Sequence, residues 1–301
     1  MADNTSVPVG TDTEAAVLWH IGYISFAVVG VLANCVVCAV IPTSVHLKQR
    51  PTNVFFWATS FWYILEAIFV VPWGFRGKLY AGDFEPRWAP WLCQVRPIVL
   101  DTAFHIEILS LIALSVRCFY ELHKSVRPKD LQWRTSTALL VCLVVWILSL
   151  ALAIPWGAFR ALTRNSAGFM ECSAPKEQWF KWFNDWVAFT GGAVFTVLAD
   201  VLFVVLAVRV WARNAQEKAI YFRKEILTMS FVLIKFNVAW LPVWISFLAS
   251  RLGDGLVSSE YKAAWKLSAG LWHEIAILWN PVIYLLMPTF RAAYSKALCC
   301  A

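Results

Sequence analysis

Charge is what this chain has least of. Only 15% of its 301 residues are Asp, Glu, Lys or Arg, 60% are hydrophobic, and the mean hydropathy is +0.62. Soluble domains carry about 25% charged residues, so most of this surface is expected to meet lipid rather than water. Low-complexity runs, long polar linkers and internal repeats are also missing. The apolar spans described below and their short loops account for nearly all of the length, so no separate soluble domain is expected. The absence of repeats speaks against a secondary transporter, which would show repeat symmetry and paired broken helices near the midplane. Metal-ligand spacings such as His-Glu-x-x-His do not occur. His105, Glu107, His273 and Glu274 could in principle form a carboxylate–imidazole site, but no nucleophile–base pair or metal set accompanies them. No catalytic activity, cofactor or metal is therefore expected.

What the chain does have is long apolar runs, at residues 18–41, 53–73, 93–122, 136–156, 183–211, 222–250 and 261–287. A helix rises 1.5 Å per residue, so roughly 20 residues cross ~30 Å of hydrocarbon. Helices are the expected form because each satisfies its own backbone hydrogen bonds, as lipid requires. The expected fold is all-α, a seven-transmembrane helix bundle with a short amphipathic C-terminal helix. The expected segments are an extracellular tail (1–17), the bundle (18–287) and a membrane-surface helix and tail (288–301). The first residues are polar and lack the basic-then-apolar order of a cleavable signal, so the first span serves as its own insertion signal. Asn4-Thr5-Ser6 fits a glycosylation acceptor, which would place the N-terminus outside. The segments then facing the cytoplasm are shorter and denser in Lys and Arg than the outer loops, in the direction of the positive-inside tendency. The formal charge of +7 points to lipid headgroups and not to nucleic acid as a partner.

Cysteines divide by position. Cys93 opens the third span and Cys172 lies in the loop before the fifth, so both would face the oxidising side and could bridge. Cys35, Cys38, Cys118 and Cys142 lie in apolar runs and read as inert thiols. Cys299 and Cys300 close the amphipathic tail, where S-acylation is the usual reading.

Several short signals occur in one order. Asn34 lies in the first span within Gly-Val-Leu-Ala-Asn-Cys-Val-Val, and Pro51-Thr52-Asn53 opens the second. Cys93 begins the third, Trp146 lies in the fourth with Pro155 beyond it, and Cys172 follows in the loop. The sixth span holds Phe236-Asn237-Val238-Ala239-Trp240-Leu241-Pro242, the seventh ends in Asn280-Pro281-Val282-Ile283-Tyr284, and Phe290 starts the tail helix. Taken in register, these residues resemble class A (rhodopsin-like) G-protein-coupled receptors over essentially the whole chain. Leu109 to Val116 and Leu285 to Cys299 look more narrowly like the peptide-receptor branch that contains neuromedin U, ghrelin, motilin and neurotensin receptors. The resemblance implies a plasma-membrane protein with an extracellular ligand, a peptide in that branch. It also implies a cytoplasmic heterotrimeric G protein as partner.

The physical roles of the switch residues can be stated independently. Pro242 and Pro281 each remove a backbone hydrogen bond and so hinge their helices, with Asn280 beside the second. Trp240 near the first hinge can sense a ligand, and Tyr284 closes the same motif; differential contact with two states is all that signalling requires.

Ionisable groups inside spans cost about 2.5 to 3.5 kcal/mol each on insertion scales and are functional candidates by default. Asp101 and His105 share a helix face near the outer half, where they read either as ligand contacts or as a structural pair. In the peptide-receptor branch an acidic residue at the position of Asp101 commonly meets a basic group of the peptide. Phe247 stands where that branch usually carries a basic residue, and Arg251 lies one turn further out. His273 and Glu274 sit at the depth of a pocket floor. Asp200 and Lys235 lie toward the inner halves of their spans and read as a structural pair or as snorkelling. A retinal Schiff base would need Lys where Glu274 stands, which argues against light sensing.

Two departures from the family pattern stand out. The second-span position that normally holds a sodium-binding Asp is Tyr63, and Glu107 is the expected replacement carboxylate facing the same cavity, near Asn280. The Asp/Glu-Arg-Tyr triplet at the inner end of the third span reads Arg117-Cys118-Phe119, so the family's G-protein-facing Arg is absent. The expectation is that Arg117 takes over that contact from one residue earlier, or that the chain binds ligand without efficient coupling. No Ser/Thr cluster follows Cys300, which leaves little for phosphorylation-driven docking.

Overall fold

The computed structural model describes residues 9–74, 89–123, 135–164, 170–173, 177–183, 191–212, 217–251 and 277–299. Their elements are α1 (Val9–Thr43), α2 (Val45–Lys48), α3 (Pro51–Gly74), α4 (Ala89–His123), α5 (Thr135–Ala158), β1 (Ala161–Arg164), β2 (Met170–Ser173), α6 (Gln178–Phe183), α7 (Gly191–Ala212), α8 (Glu217–Arg251), α9 (Trp279–Leu286) and α10 (Pro288–Cys299). Asn4, His273, Glu274 and Cys300 lie outside the described residues, as do the side chains of Phe247, Arg251 and Cys299.

The distribution of residue types across these helices is that of a membrane bundle. On α5 the buried positions are Ala138, Cys142, Val145, Ser149, Ala153 and Gly157, a stripe of small residues at helical spacing, while Leu139, Leu140, Leu143, Val144, Ile147 and Leu148 face outward. Helix α7 repeats the pattern, with Ala199, Leu206 and Val210 inside and Val194, Val197, Val201, Val204 and Val208 outside. Large apolar side chains gain nothing by leaving lipid, whereas small ones let helix backbones approach closely. At Gly157 the approach is tightest, since a Cβ there would lie 2.3 Å from both the Gln94 carbonyl oxygen and Ile98 Cγ1 on α4. Four helices among the described residues are long and apolar enough to cross a membrane: Ile24–Thr43, Pro90–Leu122, Thr135–Ala158 and Gly192–Ala212.

Helix α4 is the central post and packs against α3, α5, α7 and α8. The main apolar core runs through Phe104 and Ile108 of α4 to Phe236 and Trp240 of α8, then down to Tyr284 of α9 and Phe290 of α10. Phe290 stacks on Tyr284 with ring centres 5.3 Å apart, and Phe56 meets the same tyrosine at 4.7 Å, so α10 is fastened to the end of the bundle where Tyr284 lies. Asn34, fully buried, donates to the carbonyls of Gly30 (2.9 Å) and Ile277 (3.2 Å) and ties α1 to the segment leading into α9.

Two features differ from the sequence expectation. Helix α1 begins at Val9, so half of the expected N-terminal tail is helical. Of the fifth span expected over 183–211, the described residues show α7 from Gly191 onward. The loop before it contains an antiparallel hairpin in which Leu162 pairs with Cys172, an element that hydropathy does not reveal. The hairpin carries Cys172 to Cys93 at the head of α4, and the two form a disulfide with Cα atoms 5.6 Å apart.

Candidate functional site: a polar axis along the third span

Polar side chains are spaced along α4 from its N-terminal half, outer in the expected orientation, to its C-terminal half, over about 24 Å between Asp101 and Arg117 at 1.5 Å per residue. In the outer layer the His105 ring is buried, and its Nδ1–H donates to the Asp101 carbonyl at 2.8 Å while lying 3.6 Å from the Asp101 carboxylate. Arg160, just beyond α5, places its guanidinium 4.4 Å from the centre of the Trp156 ring. Burial, and secondarily the charge of Arg96, hold that guanidinium down at about 10, with Asp101 pulling the other way. Asp101 keeps a side chain 22% exposed. It is thus the reachable member of this layer.

Below lies an aromatic layer. Trp240 is 9% exposed and meets Phe104 edge-on at 4.5 Å, with Phe236 at 6.3 Å. Pro242 follows inside the continuous helix α8. A change in the Trp240 rotamer would therefore be felt both by the ring on α4 and by the helix hinge.

The third layer is ionic and almost dry. Lys235 of α8, Glu107 of α4 and Tyr63 of α3 are each no more than 3% exposed. The Lys235 ammonium donates to Glu107 Oε1 at 2.5 Å and to the Tyr63 hydroxyl at 2.7 Å, and the Tyr63 hydroxyl donates to the second carboxylate oxygen, Oε2. The ammonium also lies 4.7 Å from the centre of the Tyr63 ring. Three helices thus share one closed triangle of hydrogen bonds. The expectation that Lys235 pairs with Asp200 or snorkels is corrected here: Asp200 instead accepts from the Asn237 amide at 2.9 Å, and Lys235 points into the bundle. Its inward direction is fixed by the face that it shares with Val232, Phe236 and Ala239, which fall at helical spacing and are all buried. The partner, 128 residues away, gave no local signal.

This layer holds the residues expected to replace the family's sodium site, and they do not fit a sodium ion. Both Glu107 oxygens already accept a bond, and the positive charge that a carboxylate in this medium requires is supplied by Lys235. A second cation beside a buried ammonium would meet direct repulsion in a medium of low dielectric. Asn280 and Tyr284 are fully buried.

The innermost layer contains Arg117, which is fully buried. Its guanidinium grips Glu121 one turn further along α4 through Nε (3.0 Å) and Nη2 (3.2 Å), and donates to Thr52 Oγ1 of α3 at 2.7 Å. Glu121, absent from the sequence reading, is the residue that satisfies it. Cys118 is buried beside this pair, and Phe119 carries the Arg209 guanidinium 4.8 Å above its ring.

A helical membrane bundle sealed by buried ion pairs, with a disulfide-anchored hairpin at one end, has the build of a multi-pass receptor. The family pattern described as "7 transmembrane receptor (rhodopsin family)" matches residues 33–284, and the chain belongs to that family. Among its relatives are the substance-P receptor of Cavia porcellus, 24% identical over 299 residues, and galanin receptor 2b of Danio rerio, 23% identical over 295. Neuromedin-U receptor 2 of Mus musculus is 24% identical over 294 residues. These alignments cover 94%, 95% and 90% of this chain and 71%, 76% and 73% of the respective relatives. The chain is thus a class A receptor, a seven-helix multi-pass protein of the plasma membrane, and not an enzyme.

Proposed function

We propose that this receptor, with its N-terminus outside, senses an extracellular peptide at the outer end of the polar axis and passes the change to a cytoplasmic heterotrimeric G protein. The single observation that carries the reading is the contact between Phe104 and Trp240, which lies between the part-exposed Asp101 and the buried ionic layer, next to Pro242. A ligand reaching Asp101 and His105, with Phe247, Arg251, His273 and Glu274 proposed from the sequence as further contacts, would bias the rotamer of Trp240. The Pro242 hinge and the segment from Asn280 through Pro281 to Tyr284 would then relay the bias inward. The likeness to receptors named for substance P, galanin and neuromedin U supports a peptide as ligand. Glycosylation at Asn4, acylation at Cys299 and Cys300, and division into an outer tail (1–17), bundle (18–287) and membrane-surface tail (288–301) complete the proposed arrangement.

A second reading rests on one observation of its own. Arg117 stands where the family carries an acid, and its guanidinium is consumed by Glu121 and Thr52. This supports a receptor that binds ligand without efficient coupling. The discriminating experiment expresses the full chain in cells, screens a peptide library against second-messenger and arrestin readouts, and includes Trp240→Ala. A peptide response abolished by Trp240→Ala at unchanged surface expression supports coupling. Saturable peptide binding with silence in every pathway supports the second reading, and neither binding nor response to any peptide refutes both.

A further inference from the structure

The family's interior holds a diffusible cation near the second and third spans, and this chain has put a side chain there. We propose that Lys235 is a tethered counter-ion: its ammonium occupies the place of the sodium ion, makes the receptor indifferent to sodium, and latches α8 to α3 and α4. Three observations carry the inference. The Asp that would bind sodium is replaced by Tyr63, whose hydroxyl bonds both Glu107 and Lys235. The compensating carboxylate, Glu107, has both oxygens engaged. All three groups are buried to within 3% of complete. Glu66, fully buried on α3 one turn from Tyr63, also interacts electrostatically with Lys235 and Tyr63, so the ammonium faces negative charge from two helices.

The tether changes the physics of the site. A diffusible cation stabilises the state it binds in proportion to the logarithm of its concentration. A lysine is present at every salt concentration and is attached to one of the helices that the proposed switch must move. Lys235 lies two turns along α8 from Pro242, on its cytoplasmic side in the proposed orientation. A swing of that half of α8 therefore draws the ammonium away from Glu107, and the two charges must separate in a medium with little water. The latch is released by helix movement, not by loss of an ion.

The test uses the full-length receptor purified in detergent, with thermal unfolding followed in sodium, potassium and choline chloride at equal ionic strength. The wild type is expected to show the same Tm in all three salts. Lys235→Met, which leaves Glu107 buried without its cation, is expected to have a lower Tm in choline and to recover in a saturable, sodium-selective manner. The double variant Glu107→Gln/Lys235→Met, which removes the Glu107 charge together with its cation, is expected to be insensitive to sodium and more stable in choline than Lys235→Met. Sodium-selective stabilisation of the wild type would overturn the proposal, including the case in which Glu66 holds an ion beside the lysine. A Lys235→Met variant that sodium does not rescue would also overturn it. If Lys235→Met does not survive purification, the wild type and the double variant still decide: sodium dependence in either one refutes the tether.

Discussion

The ion pair at the inner end of α4 offers a direct test of how dry this bundle is. Arg117 and Glu121 are one helical turn apart, with side chains 0% and 2% exposed, and are joined by two bonds of 3.0 and 3.2 Å. Were the pair solvated, its contribution would be that of an exposed i,i+4 pair, about 0.3–0.5 kcal/mol. Removing one partner of a buried pair instead costs about 3–5 kcal/mol, because the other charge remains without compensation, whereas replacing both by apolar groups is nearly neutral. The geometry selects the larger figure. Arg117→Met and Glu121→Leu should each lower stability by about 3 kcal/mol or more. Either single variant removes the opposite charge from its partner, and Arg117→Met also takes a bond from Thr52 Oγ1, so the two losses should be similar in size. The double variant should recover most of the loss, giving a coupling energy of about 3 kcal/mol in a double-mutant cycle. The assay is thermal unfolding of purified protein, where each kcal/mol moves Tm by about 2–4 °C in a protein of this size class. A coupling energy below about 0.5 kcal/mol would show that water reaches the pair and refute the reasoning.

Two further expectations concern the frame that holds the axis. Cys93→Ser opens a disulfide that closes a loop of 79 residues, so by the chain-entropy account it should cost about 2–5 kcal/mol and sharply reduce surface expression; unchanged expression and Tm would show that the hairpin holds its place without the bond. Gly157→Val drives a side chain into the Gln94 carbonyl and Ile98, both already 2.3 Å from where Cβ would sit, and should lose about 1–3 kcal/mol as α4 and α5 separate. Gly22→Ala, with nothing within 4 Å, should be neutral or gain about 1 kcal/mol in helix propensity, so equal losses at the two glycines in thermal unfolding would refute the packing argument.

Hydropathy made the spans legible because lipid imposes a length and an apolar composition that soluble helices need not meet, and α4 and α5 end within a few residues of their expected limits. Trp240 in its helix near Pro242, and the Asn280 to Tyr284 segment, were equally legible, since a fixed order of residues marks them. What hydropathy leaves open is helix phase and partnership. Lys235 looks the same in a sequence whether it bends toward headgroups or inward to a carboxylate on another helix; only the burial of Val232, Phe236 and Ala239 around it fixes the direction. The β1–β2 hairpin was not legible either, because four-residue strands in a polar loop carry too short an alternation to register beside long apolar runs. Glu121 escaped notice for a third reason: at the edge of a span an acid reads as solvent-facing, although the helix places it one turn from a buried arginine.

The two buried ion pairs, Glu107 with Lys235 and Arg117 with Glu121, lie on the same helix about 15 Å apart along its axis. They differ in what they join. Arg117 and Glu121 ride together on α4, so the pair moves as a unit, and its bond to Thr52 links it to α3. Glu107 and Lys235 sit on different helices, so any separation of α8 from α4 strains their bond directly. An opening of the inner end that leaves α4 in place must therefore stretch the middle latch first, while the inner pair can stay intact throughout. The threshold for switching then resides in the middle layer. To carry such a two-state equilibrium from 1:99 to 99:1, a ligand must favour the open state by about 5.5 kcal/mol. That figure is comparable to the cost of breaking one buried ion pair, about 3–5 kcal/mol. A contact made at Asp101 and transmitted through Trp240 has one such bond to overcome, and Lys235 decides how strong it is.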